Sequence, residues 1–213
     1  MRYIILFFCG LNLWCCKTST VIPIEQPPHT EDTQTHDWHF ENPSLWEEQN
    51  GIVSMIRTEE VSRPFRRPYQ LGYIRSNTFL KDFEYAAEVK CTDPKLKKGR
   101  DVLIVFGYQS PSRFYYVHLS NDYAAGYHNG IFLVNNSDRT RIDIEGLKGP
   151  TPTLITDLDW HKIMLKRSNG RTSITVDGQL LMTTTDQTID RGYVGFGSFD
   201  DTGEIRNVEV REL

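Results

Sequence analysis

The stretch WHKIMLKRSNGRTSITVDGQLL, Trp160 to Leu181, decides the class of fold. Apolar and polar residues alternate through HKIMLKRS (His161–Ser168), at the period of two that turns one face of a strand toward a core. The alternation resumes in TSITVDG (Thr172–Gly178). Asn169-Gly170 stands between the two runs and is the strongest two-residue signal for a hairpin. Asp177-Gly178 makes a second tight turn before QLLMTTT.

The same texture extends outward in both directions. Upstream lie FEYAAEVKC (Phe83–Cys91), DVLIVFGYQ (Asp101–Gln109), RFYYVHLS (from Arg113) and GIFLVNN (Gly130–Asn136). LGYIRSN reads as a further strand. Ser110-Pro111-Ser112 is a hairpin signal between two of these runs. Downstream, GYVGFGSF and IRNVEVREL close the chain. No long amphipathic helix and no repeat at a fixed period interrupts the series. Many short strands separated by turn signals predict an all-β sandwich or barrel.

The C-terminal third carries a resemblance. Trp160, then Arg167-x-x-Gly170, then Val176-Asp177-Gly178, then Gly192-x-Val194-Gly195-x-Gly197 with a last returning strand, resembles the concanavalin A-like lectin/glucanase sandwich. The resemblance implies a jelly roll of two antiparallel sheets, with Gly192, Gly195 and Gly197 permitting close strand approach at a sheet edge. The middle segment, Gly99 to Ile142, is similar to secreted carbohydrate-active domains of polysaccharide-degrading bacteria. Among these are keto-disaccharide hydrolases and the lyases or dehydratases acting on uronate oligosaccharides such as those from ulvan. Calcium is common in this fold, so a structural ion on loops such as Asp200-Asp201 is an option. No other cofactor is expected.

The ends and the composition bound the setting. Tyr3 to Trp14 is a mostly apolar run behind Arg2. It is shorter than the roughly 20 residues that span a bilayer as a helix and fits the core of an export signal. Leu13-Trp14-Cys15-Cys16 resembles a lipoprotein box, with Cys16 as the lipidated residue. The expected organisation is a signal over residues 1–16, a Thr-, Pro- and acid-rich tether over 17–37 that cannot bury enough surface to fold, and one domain over 38–213. Such a protein is exported and held by its lipid at the outer membrane or cell surface, or in the periplasm. It is expected to act as a monomer. Cys91 is the one cysteine of the domain, so packing rather than disulfides must hold the fold. The formal charge of −4 offers no basic excess for nucleic acid.

The chemistry rests on one strand. If Tyr115, Val117 and Leu119 face the core, then Phe114, Tyr116 and His118 face a groove across the sheet. Tyr127-His128-Asn129 leads into the next strand and brings a second imidazole. Double-displacement hydrolysis needs paired carboxylates about 5 Å apart, and no Glu-x-Asp-x-Glu strand supplies them. β-Elimination from a uronate needs a base, an acid and a cation on the carboxylate. His118 or His128 is the candidate base, Tyr116 the acid and Arg75 the clamp. Tyr108, Asn129, Arg66 and Arg139 are candidate substrate contacts. The expected activity is therefore that of a carbon–oxygen lyase on an acidic oligosaccharide. A glycoside hydrolase and a non-catalytic carbohydrate-binding module are the alternatives. No motif has the spacing of a metal centre.

Overall fold

A computed structural model describes residues 36–59, 62, 64–75, 79–94, 96–122, 127–143 and 157–213. All of them belong to the compact unit Thr33–Leu213. The expected signal, Cys16 and most of the tether lie outside the described residues. The last two tether positions are bonded to the domain: the His36 ring meets the Val208 carbonyl and the Asp37 carbonyl accepts the Arg75 N–H. No helix of the described residues is long and apolar enough to cross a membrane.

The strands run in the order β1 (Trp38–Phe40), β2 (Trp46–Gln49), β3 (Ile52–Met55), β4 (Gln70–Ile74), β5 (Phe83–Cys91), β6 (Asp101–Ser110), β7 (Arg113–Ser120), β8 (Gly130–Asn135), β9 (Thr140–Arg141), β10 (His161–Ser168), β11 (Arg171–Val176), β12 (Gln179–Thr184), β13 (Tyr193–Ser198) and β14 (Gly203–Glu212). A 3-10 turn, Pro43–Leu45, precedes β2. Two antiparallel seven-stranded sheets result. The front sheet has the order β1-β4-β13-β6-β7-β8-β9, and the back sheet β12-β11-β10-β5-β14-β3-β2. This is the concanavalin A-like sandwich that the sequence implied.

The hairpins form where the turn residues allow. Asn169-Gly170 and Asp177-Gly178 both hold positive φ and join β10 to β11 and β11 to β12. A third pair, Asn50-Gly51, does the same between β2 and β3, a hairpin that the sequence reading passed over. The glycines of β13 sit in the sheet interior, between β4 and β6, and not at an edge. Close approach is nevertheless their role: a Cβ on Gly195 would lie 2.1 Å from the Gly72 carbonyl oxygen.

The sheets enclose a core in which Val102, Ile104, Phe106, Tyr115, Val117 and Leu119 of the front meet Tyr85, Val89, Ile163, Leu165 and Ile174 of the back. Tyr115, Val117 and Leu119 thus point inward, as alternation requires. The front sheet is buried on its outer side too. Leu71, Leu103, Val105, Phe114, Tyr116 and Phe132 form a second apolar cluster there, covered by Phe65, Tyr69 and Phe199. The expected groove over β7 is therefore filled by the protein's own aromatic rings.

Candidate functional site

The outward residues of β7 stand in a row, and their neighbours on β6 and β8 set what each can do. Tyr116 is opposite Phe132, with rings 5.2 Å apart and nearly parallel. His118 is opposite Leu103, which makes Asp101, two residues along β6, its diagonal neighbour. His118 Nε2 lies 3.1 Å from Asp101 Oδ2, and Nδ1 lies 3.1 Å from the Tyr127 carbonyl. Phe199 stacks on the imidazole at 5.3 Å. His118 is 1 % exposed and Tyr116 0 %.

Arg139, at the turn after β8, crosses above this row. Its guanidinium sits 4.8 Å from the rings of both Phe132 and Phe199. Nη1 donates to the Tyr116 hydroxyl at 3.0 Å, and Nη2 to the Tyr127 carbonyl at 2.9 Å. Among the described residues no carboxylate lies within ion-pair distance of it. Arg66 stands beside it: the Arg139 N–H bonds to the Arg66 carbonyl, and the Arg66 guanidinium covers the Tyr127 ring at 5.3 Å. Tyr127 is 55 % exposed.

His128 completes the rim. Its ring is 4.9 Å from that of His118, and Nδ1 is 3.4 Å from Ser120 Oγ and 3.6 Å from Asp122 Oδ2. Burial, and then the charge at His118, lower its pKa, so it stands neutral at pH 7. Burial raises the Tyr116 phenol well above its usual range, against the pull of Arg139.

The structure thus brings Tyr116, His118, His128, Arg139 and Arg66 together and corrects several assigned roles. Arg75 is exposed beyond the end of β4, three strands from β7. That places it about 14 Å across and about 13 Å along from His118, out of reach as a clamp. Tyr116 as acid and His118 as base are sealed from solvent, because Phe199 and Arg139 close over them. Asn129 holds positive φ, and its amide braces the loop by accepting from the Ser120 N–H and donating to the Asp122 carbonyl. Tyr108 faces the same side of the sheet but in another neighbourhood, stacked 4.5 Å from Tyr73. It faces outward because a bulge at Gly107, with positive φ, resets the alternation of β6. Two further arginines are spoken for: Arg67 grips Glu41 with both terminal nitrogens, and Arg141 grips Asp143.

Sequence reading missed Asp101 and Phe199. Asp101 opens an otherwise apolar strand, and that isolated carboxylate was the available signal. Phe199 sits in the β13–β14 connection and carries no pattern. Asp101 also accepts from Ser198 Oγ at 2.5 Å and from the Phe199 N–H. The order is serine, aspartate, histidine. With the carboxylate in the middle, the hydroxyl is not beside the imidazole that would activate it, so the trio is not a nucleophile triad.

Behind Asp101 lies an acidic corner. Carboxylate oxygens of Asp101, Asp200 and Asp201 fall within 4.8 Å of one another, a spacing compatible with a calcium ion. Lys97 already places its ammonium there, 2.5 Å from Asp93 and 2.7 Å from Asp201. Burial and the charge of Asp101 push the Asp201 carboxyl up to about 8.

Comparison with known proteins gives likeness of fold. The carbohydrate-binding module CBM66 from Bacillus subtilis superposes with a TM-score of 0.61 at 16 % identity, over 84 % of this chain and 98 % of that one. The exoplasmic/lumenal domain of VIP36, solved with calcium and Man3GlcNAc, gives 0.53 at 14 %, over 83 % and 86 %. The GH43 protein BlXynB from Bacillus licheniformis gives 0.54 at 13 %, over 83 % of this chain but 37 % of that protein. No family model and no curated protein matches by sequence.

Proposed function

We propose that this domain recognises an acidic oligosaccharide at the rim formed by Arg66, Tyr127, His128 and Arg139. The carrying observation is Arg139 itself, a half-buried guanidinium fixed between two rings with no carboxylate partner among the described residues. Arginine presents paired N–H groups that match a carboxylate, and a second guanidinium stands next to it. Tyr127 offers an exposed ring and hydroxyl for a sugar face. The fold shared with CBM66 and VIP36 supports saccharide as the class. The partial coverage of BlXynB fits a sandwich that serves as one part of a larger enzyme. Export and lipid anchoring through Cys16 belong to the same reading, since they place the rim where polysaccharide fragments are met.

A second reading, β-elimination on a uronate such as those of ulvan, is favoured by His128. It is the accessible imidazole, held neutral, beside two arginines. It would take the C5 proton while the electron pair forms the C4–C5 double bond and the C4–O bond breaks, with a proton delivered to the leaving oxygen. That delivery falls to an exposed group, because Tyr116 is sealed. Hydrolysis is less well supported: Glu41 is tied to Arg67, and Asp101 to His118 and Ser198.

The test is a panel of oligosaccharides with and without carboxylates, read by calorimetry and by ultraviolet absorbance. Binding confined to acidic members, and lost in Arg139→Met, is the expected result. Equal binding of neutral and acidic members, or none, sinks the proposal. Growth of absorbance from a conjugated double bond, abolished by His128→Ala, moves the assignment to the second reading.

A further inference from the structure

We infer that His118 is a positioning residue, which fixes the Tyr127 carbonyl and through it the setting of Arg139. The inference rests on the reading of the rim given above and concerns what keeps that rim in place.

The chain of contacts starts at Asp101. Its carboxylate cannot swing, because Oδ1 takes Ser198 Oγ and the Phe199 N–H, while its backbone N–H is held by Asp201 Oδ2 at 2.8 Å. Oδ2 therefore offers a fixed acceptor to His118 Nε2. Phe199 lies against the imidazole and Tyr116 sits 6.1 Å away along the strand, so the ring plane is set as well. With one nitrogen anchored and the plane fixed, Nδ1 points to the rim, where the Tyr127 carbonyl stands at 3.1 Å and Arg139 Nη1 at 3.4 Å. A carbonyl has no hydrogen to give, so this bond requires a hydrogen on Nδ1, and a ring that also donates from Nε2 to the Asp101 carboxylate then carries both hydrogens. A bare Nδ1 would instead accept from Arg139 Nη1, 3.4 Å away.

Arg139 needs that carbonyl. Phe132 and Phe199 fix the plane of the guanidinium but not its rotation within the plane. The Tyr116 hydroxyl fixes one terminal nitrogen, and the Tyr127 carbonyl fixes the other. A fork that meets a carboxylate with two parallel bonds depends on that rotation. A leucine at position 118 would fill much of the same space, but it would leave Asp101 and the carbonyl without their buried donor. This accounts for an imidazole beside a phenol on β7: each holds one end of the same guanidinium.

Two substitutions separate the halves of the imidazole. The amide nitrogen of His118→Asn reaches the Nδ1 place, and that of His118→Gln the Nε2 place. His118→Asn is expected to keep the Tyr127 bond, a sharp Arg139 Nε–Hε resonance and an affinity for a uronate tetrasaccharide within about threefold of wild type. His118→Gln is expected to broaden that resonance and weaken the affinity about fivefold or more, the scale of one lost buried hydrogen bond. Equal behaviour of the two variants, whether both intact or both impaired, overturns the inference and leaves His118 a packing residue. Should neither variant fold, long-range ¹⁵N correlation on wild-type protein decides: a hydrogen on Nδ1 supports the inference, and a bare Nδ1 overturns it. If wild type binds no uronate tetrasaccharide, the proposed function fails, while the Arg139 resonance still reports on His118.

Discussion

The outer faces of the two sheets are built from different chemistry on the same scaffold. On the back sheet, β5 and β10 alternate between buried and open positions, and the open ones pair across strands. Lys166 meets Glu84 at 2.7 Å, Arg206 meets Glu88 at 2.7 Å, and Lys90 meets Glu204 at 2.8 Å. Lys90 and Arg206 also lie over Trp160. On the front sheet, β6 and β7 are buried on both sides almost throughout. Its outer face is an aromatic layer in which the polar groups come as fixed sets: Asp101 with His118 and Ser198, Glu41 with Arg67, and, half-buried at the rim, Arg139 with Tyr116. The back face is kept soluble by many weak, replaceable contacts. The front face holds its polar groups in fixed positions, most of them under cover.

Mutations can test that contrast, and the largest effect is expected inside the front sheet. Gly195→Ala drives a methyl into the backbone of β4, where no side-chain movement relieves it. Loss of folding, or at least about 4 kcal/mol of stability in chemical denaturation, is expected. A stable Gly195→Ala would mean that the front sheet is looser than described. Next comes Phe132→Ala, which removes a ring from the outer layer and leaves Arg139 and Tyr116 uncovered. Thermal and urea melts should show a loss of about 3–5 kcal/mol, the cost of an ordinary core position. A loss of less than about 1 kcal/mol would show the layer to be surface, and the contrast between the faces would collapse.

The back sheet supplies an intermediate case at His161, whose ring bridges Asp157 at 3.0 Å and Asp177 at 2.8 Å. Burial disfavours the charged ring, but the hydrogen bonds from Asp177 and Asp157 outweigh it and raise the pKa above its ordinary value. Stability from this bridge is therefore complete below the unfolded pKa and is lost as pH rises through the higher folded one. Proton NMR should place the His161 titration above that of a free histidine, and Asp177→Asn should bring it down. A midpoint unmoved by Asp177→Asn would break the account. The smallest effect is expected at Lys166→Ala, which takes one exposed partner from Glu84. Melting curves of this variant should overlay those of wild type.

The back sheet was largely legible because its rules are local. β5 and β10 have the bounds that alternation drew, and the Asn-Gly and Asp-Gly turns folded as read. The β2–β3 hairpin escaped because its strands are short, although Asn50-Gly51 announced it. On the front, alternation placed Tyr116 and His118 on the outer side but could not say what covers that side. The covering comes from Phe65, Tyr69 and Phe199, which lie in connections without period and arrive from distant parts of the chain. The bulge at Gly107 shows the same limit, since one glycine reverses the facing of Tyr108. The strand pattern favours Arg75 as the clamp and leaves Arg139 a substrate contact. Only the pairing order of the strands revealed which of them stands over β7.

The margins of the front sheet are β1, three residues long, and β9, two residues long. A stranger seeking to extend the ladder finds almost no main chain to grip on either flank. At high concentration, strand addition at these two margins should then be disfavoured, and fibrous growth would have to begin elsewhere.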